Sequence, residues 1–160
     1  MSVQVLAPGL LTTVQDTGRH GLRHLGVGCA GALDAYSLQI ANLLVANDAD
    51  AAALEITLAG PRLRCERAVR IALCGAEIDA HADDLALPGW RPIDLPAGSE
   101  LMIGHCRRGA RAYLAIAPDW WAVRLGANRP QLLILYAIKF KDGTWDKPQV
   151  RAVYSILEQV

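Results

Sequence analysis

The stretch that decides the fold is Ala53–Ala82, ALEITLAGPRLRCERAVRIALCGAEIDAHA. Leu54, Ile56 and Leu58 fall to one side and Glu55 and Thr57 to the other, a period of two rather than 3.6, as in a half-buried strand. Gly60 and Pro61 make a turn, Leu63–Cys65 begins another extended piece, and Val69–Leu73 and Glu77–His81 repeat the pattern around the turn signal CGAE. Downstream, Leu101–Gly104 and Arg111–Ile116 behave alike, separated by ADD, LPGWRP, PAGS and RRGA. Upstream, Val3–Leu6 and Leu10–Val14 are short apolar or β-branched runs split by APG. Many short strands at this spacing predict a mainly β protein, a closed or nearly closed β-barrel with one or two helices.

One helix is expected near 35–46. Asp34 is placed to cap it, Leu38, Ala41, Asn42 and Val45 share a face by the i, i+3, i+4, i+7 rule, and Asn47 suits a left-handed C-terminal cap. Composition shifts after residue 118: all three lysines, the one phenylalanine and three of four tryptophans lie beyond it. There LLILYAIKF predicts a strand, KDGT a turn, and PQVRAVYSILEQV a C-terminal helix with Val150, Val153 and Leu157 on one face and Pro148 in its first turn. The chain thus divides into a domain over 1–117 and a divergent tail over 118–160 packed on it.

A chain of 160 residues that is 52% hydrophobic buries one core. Sixteen basic and sixteen acidic side chains cancel, which argues against a nucleic-acid or anionic-membrane partner and for small molecules or proteins. The sequence has neither a leader pattern nor an apolar run of membrane-spanning length, so a cytoplasmic protein is expected. Its four cysteines form no CxxC pair and read as reduced thiols.

Chemistry concentrates in Val14–Asn47, VQDTGRHGLRHLGVGCAGALDAYSLQIANLLVAN. Gly26, Gly28 and Gly31 satisfy G-x-G-x-x-G, but a polar DTGRHGLRHL precedes them where a dinucleotide site needs a buried strand. The glycines read better as permitting positive φ in a tight loop. His20, His24, His81 and His105 match no standard zinc spacing with Cys29 or Cys106, no G-x-S-x-G exists, and Cys29 reads as a small thiol rather than a nucleophile. Arg19 beside Asp16 supplies a donor fork and an acceptor, suiting a carboxylate, phosphate or carbonyl ligand or forming an ion pair that holds the loop. Asn42 lies in the helix's apolar stripe and must find partners, either fastening the preceding loop or facing a pocket. Glu55 is exposed on its strand unless a loop covers it.

PGLLTTVQDTGRHGLRHLGV, followed by GALD, ANLLVAN, ALEITLAGP, CGAE and GARAYLAIA, resembles the N-terminal half of the biotin-dependent carboxyltransferase-like family, over about Val3–Ala117. That family includes the C subunit of 5-oxoprolinase, often labelled allophanate hydrolase subunit 2, and the antagonist of a sporulation kinase inhibitor. The resemblance implies a cyclophilin-like β-barrel and a hydrolase-type complex in which the C subunit acts with the B and A subunits to open 5-oxoproline at the expense of ATP. Related urea carboxylase domains hold carboxybiotin between two such halves. The resemblance places ligand-binding candidates at Gln15, Asp16, Gly18, Arg19, Gly31, Asp34, Asn42, Glu55 and Thr57, assigns no catalytic residue and calls for no metal. Three departures stand out: Gly28 replaces the usual proline, Ala30 a small hydroxyl residue, and after AYLAIA the second half gives way to PDWWAVRLGANRP.

Two functions follow from the resemblance. One is a half-size homologue that binds a small amide, lactam or carboxylate in a complex with subunit-B-like and subunit-A-like proteins or a second copy of itself, ATP or biotin entering through that complex. Alone it is expected to be inactive. The other is a non-catalytic regulatory protein whose barrel docks a subunit-B-like partner.

Overall fold

The computed structural model describes residues 3–18, 20–21, 23–26, 28–117, 123–125 and 133–135, the last two segments as backbone alone. Its spine is a long antiparallel pair, β5 (Val69–Ala82) and β8 (Glu100–Ala117), extending from Arg70 opposite Ala117 to Ala82 opposite Leu101. Around it lie β1 (Val3–Ala7), β2 (Leu11–Gln15), β3 (Ala53–Thr57), β4 (Arg62–Cys65), β6 (Leu85–Ala86), β7 (Pro92–Leu95), β9 (Val123–Leu125) and β10 (Leu133–Leu135). The sheet runs β10-β2-β3-β8-β4-β1-β9, with β5 adding β6 and β7, and curls into a half-barrel. The expected mainly β, barrel-like architecture is thus present. β9 and β10 join as parallel edges, on β1 and β2. The turn and C-terminal helix expected in the tail lie outside the described residues.

Two turn signals are corrected. CGAE and RRGA interrupt no strand; they sit opposite each other inside β5 and β8, where the register shifts between Gly75 and Glu77 and again before Ala80. Glycine explains both the misreading and the structure. Gly75 (φ +96°) and Gly109 (φ +87°) adopt the left-handed conformation, and a Cβ on Gly75 would lie 2.6 Å from the Arg111 carbonyl oxygen. The chain therefore bulges and continues instead of reversing. Leu58 is also corrected: β3 stops at Thr57, and Leu58 turns to φ +60° with 47% of its surface exposed. Its N–H donates to the Ala110 carbonyl and its carbonyl accepts from Cys106, so it leaves the ladder to bridge the bulge of β8.

Alternation gives the sheet two apolar faces. Val5, Val14, Leu54, Ile56, Leu63, Ile71, Leu73, Leu101, Ile103, Leu114 and Ile116 form one core cluster. In a second cluster Ala53, Ala72, Cys74, Tyr113, Ala115 and Ala117 receive α1 (Ala35–Leu44) through Leu38, Ala41 and, just beyond it, Val45. The small alanines on that face let the helix approach closely. Asp34 caps α1 as expected, its Oδ1 accepting the Ser37 N–H at 3.1 Å. The left-handed residue at the far end is Ala46 (φ +62°), not Asn47. Among the described residues no helix is long and apolar enough to cross a membrane.

Candidate functional site

The sheet face that carries α1 is apolar under the helix and polar beyond its N-terminus. There β3 contributes Glu55, and β8 contributes Arg111 and Tyr113, which alternate with the core residues Ala112 and Leu114. Glu55 is 9% exposed and Tyr113 fully buried. The Tyr113 hydroxyl donates to Glu55 Oε2 at 2.7 Å and accepts the Asp34 N–H at 2.8 Å. The Leu33 N–H donates to the same Oε2 at 2.9 Å. One carboxylate oxygen and one phenol thus pin residues 33 and 34, which close the glycine-rich loop and start the helix. Glu55 is buried because this loop covers it.

Burial, and next the adjacent Glu55, push the Tyr113 hydroxyl well above the usual tyrosine range. It therefore stays a protonated donor through neutral pH. Arg111 Nε stands 3.4 Å from Glu55 Oε1, within ion-pair reach. The alignment makes no hydrogen bond, however, and leaves this buried N–H unpartnered. The charges attract while the donor's capacity is unused.

The same corner opens into a cleft of about 550 Å³ lined by Asp34, Glu77, Arg108, Arg111 and the bulge residues Gly75 and Gly109. That volume suits a small ligand. Arg107, next to Arg108, is tied to Asp79 at 2.5 Å; among the described residues Arg108 has no carboxylate partner. Both Asp34 oxygens are engaged, Oδ1 by the Ser37 N–H and Oδ2 by the Ser37 hydroxyl. The cleft thus offers two guanidinium groups and the Glu77 carboxylate.

The sequence candidates fall into three groups. Asp34, Glu55 and Thr57 lie at the cleft end of the face: Thr57 is two residues beyond Glu55 on the same side of β3, half-buried and opposite Arg111 in register. Asp16, Gly18 and Gly31 build the loop. Asp16 Oδ1 accepts the Gly18 N–H at 2.7 Å, and its carbonyl accepts the Ala32 N–H at 2.8 Å. A Cβ on Gly31 (φ +89°) would lie 2.6 Å from the Gly18 nitrogen, so two backbones touch where no side chain fits. Gln15, at the end of β2, donates to Thr13 Oγ1 at 3.2 Å and keeps a buried, unpartnered Oε1. Asn42 lies apart. It is fully buried, donates to the Ala51 carbonyl at 2.6 Å and receives Asn47 Nδ2 at 3.3 Å, so it fastens the loop that follows the helix, not the one that precedes it. Arg19 lies outside the described residues.

Tyr113, Arg111, Arg108 and Glu77 escape the sequence candidates. The signal was present in RAYL, where two polar side chains alternate with apolar ones on a strand that should be buried on both faces. Among the described residues no cluster of three or more His, Cys, Asp or Glu is placed to hold a metal ion. His20 is exposed, with Nε2 3.1 Å from the Thr17 carbonyl, a local contact.

A curled, mainly β half-barrel with one helix is the fold of the chain's structural neighbours, which are carboxyltransferase-type domains. Residues 25–125 match the family described as carboxyltransferase domain, subdomain A and B, and the chain belongs to that family. It is 47% identical over 116 residues to the 5-oxoprolinase C subunit of Escherichia coli (strain K12), covering 72% of this chain and 37% of that protein. It is 37% identical over 116 residues to urea amidolyase of Saccharomyces cerevisiae, covering 72% of this chain and 6% of that protein. The crystal structures of Kluyveromyces lactis urea amidolyase and urea carboxylase each superpose with a TM-score of 0.70 at 40% identity, over 72% of this chain and 7% and 10% of theirs. The chain thus spans little more than a third of the bacterial relative's length and a small part of the fungal ones.

Proposed function

We propose that the chain serves as one component of a 5-oxoprolinase-type or carboxyltransferase-type assembly, and that it binds a small amide, lactam or carboxylate in the cleft beside Glu55. The observation that carries this reading is Arg111: its buried Nε–H is unpartnered beside Glu55, and its side chain lines a cleft shared with Arg108. Planar guanidinium forks suit a carboxylate or carbonyl, and Glu77 opposite them suits an amide N–H. The Glu55–Tyr113 latch would hold the Asp16–Asp34 loop in place before a ligand arrives, which lowers the entropic cost of binding.

Subunit-B-like and subunit-A-like proteins, or a second copy, are the proposed partners, and the cyclophilin-like relationship of the barrel belongs to the same proposal. No dinucleotide-type ATP site is proposed in the glycine-rich loop. The segment before Gly26 is a short 3-10 turn, Arg23–Leu25, rather than a strand delivering glycines to a helix N-terminus. The cleft beside Glu55 is assigned to the small ligand rather than to biotin. Either group would enter through the wider complex.

The test is an NMR titration of the full chain with 5-oxoproline, urea and acetate. Saturable shifts are expected at the amides of Asp34, Gly109 and Ala110 with at least one of them, weakened about tenfold, or 1.4 kcal/mol, by Arg108→Ala. The reading fails if none of the three moves those amides up to about 10 mM, where binding would be worth under about 3 kcal/mol.

A further inference from the structure

Glu77 and Arg108 stand opposite each other across β5 and β8, and both line the cleft. Opposite charges in that position ordinarily pair across a sheet, yet no ion pair joins these two. The register shifts on both sides of Glu77, between Gly75 and Glu77 and between Glu77 and Ile78, and Gly109 beside Arg108 turns to φ +87°. The pair thus sits on two bulged strands, where side chains leave the regular cross-strand geometry. The other charges nearby are engaged. Asp34 gives both carboxylate oxygens to Ser37, Arg111 Nε stands beside Glu55, and Arg107, whose charge Glu77 also feels, is tied to Asp79. The lining sets Asp34 and Glu77 against Arg108 and Arg111, so its formal charges cancel. One carboxylate and one guanidinium remain unpaired, opposite each other.

We propose that the cleft takes a zwitterion, a free α-amino acid whose carboxylate meets Arg108 and whose ammonium meets Glu77. The inference rests on the ligand reading above and narrows its carboxylates to those that carry an ammonium on the next carbon. Electrostatics decide between the ligand classes. A simple carboxylate satisfies the Arg108 fork but comes close to Glu77, and a simple ammonium does the reverse. A neutral amide hydrogen-bonds to both side chains and leaves both charges uncompensated. A zwitterion sets an opposite charge against each. Both side chains are exposed, so the interaction takes its value in water, where two unit charges about 4 Å apart change an affinity about fivefold. Exchanging acetate for glycine turns one such repulsion into an attraction.

The test is an NMR titration of the full chain, read at the Asp34, Gly109 and Ala110 amides, with glycine, acetate, methylammonium and acetamide. At a constant ionic strength of about 0.1 M, glycine is expected to bind at least about fivefold tighter than each of the others. Most of that margin should vanish at about 1 M salt, where the screening length falls from about 10 Å to about 3 Å. Glu77→Gln, at an exposed position, should loosen glycine about fivefold and tighten acetate by a similar factor, an opposite response that a loss of fold would not give. Arg108→Ala should loosen both. The inference is overturned if acetate or acetamide binds as tightly as glycine, if the margin survives high salt, or if Glu77→Gln moves glycine and acetate in the same direction. Any of these results, together with cleft shifts from acetate, acetamide or 5-oxoproline, leaves the ligand reading standing. A cleft silent to every ligand, 5-oxoproline and urea included, sinks both.

Discussion

The Tyr113 hydroxyl sits between Glu55 and the first turn of α1, donating to Glu55 Oε2 at 2.7 Å and accepting the Asp34 N–H at 2.8 Å. These groups come from β3, β8 and the helix start, 58 and 79 residues from Tyr113 in sequence. One oxygen atom thus joins the sheet to the loop that forms the cleft wall. Tyr113→Phe keeps the ring's packing but strands the Asp34 N–H and removes one donor from Glu55. A loss of about 1–3 kcal/mol is expected, read from the urea midpoint, together with faster amide exchange at Leu33 and Asp34. Unchanged exchange there would mean the latch does not hold the loop.

Gly31 and Gly21 separate two costs of adding a Cβ. Both have positive φ, but a Cβ on Gly31 would meet the Gly18 backbone at 2.6 Å, while one on Gly21 meets nothing within 4 Å. Gly21→Ala should cost about 1 kcal/mol, the conformational penalty alone. Gly31→Ala adds a clash with backbone that cannot step aside, and should cost at least about 2–3 kcal/mol. Equal losses by chemical denaturation would contradict the close approach of the two segments.

Asn42 is expected to matter for stability and not for ligand binding. Asn42→Leu keeps the volume but leaves the Ala51 carbonyl without its 2.6 Å donor. The expected loss is about 1–3 kcal/mol, with the NMR response of the cleft amides preserved. A variant of normal stability that no longer responds to ligand would return Asn42 to the site.

Two buried thiols predict a pH effect. Burial pushes Cys65 and Cys74 from 9.0 up to about 11. A raised folded-state pKa means that below pH 9 both states hold the proton, whereas above it the unfolded chain releases the proton first. Stability contributed by the neutral thiols is therefore lost as pH rises from about 9 to about 11, and none is lost on acidification through neutral pH. Urea midpoints measured across that window should fall with pH, and the slope should be shallower in Cys65→Ala and Cys74→Ala. An identical slope in the wild type and both variants would remove the thiols as its cause.

The Glu55 side chain shows how a correct local reading can miss its consequence. Alternation places it opposite Leu54 and Ile56, and that is where it lies. Alternation alone also makes it exposed, since the covering residues Leu33 and Asp34 arrive from a loop 22 residues away in the case of Leu33. Arg111 and Tyr113 were legible as polar positions on an apolar strand, but their partners belong to other elements.

The periods of two in Ala53–Thr57 and 3.6 in Ala35–Leu44, with Asp34 as cap, are properties of neighbouring residues, and the sequence by itself determined the mainly β architecture, its one described helix and the family. Tertiary structure decided what depends on distant backbone meeting. CGAE and RRGA become facing bulges because β5 and β8 pair across them, Gly31 is required because Gly18 packs against it, and Asn42 turns to Ala51 because the following loop folds back under the helix. Hydrophobic periodicity is written residue by residue; the partner of a buried donor, carboxylate or glycine is fixed when the sheet curls and the loop closes over it.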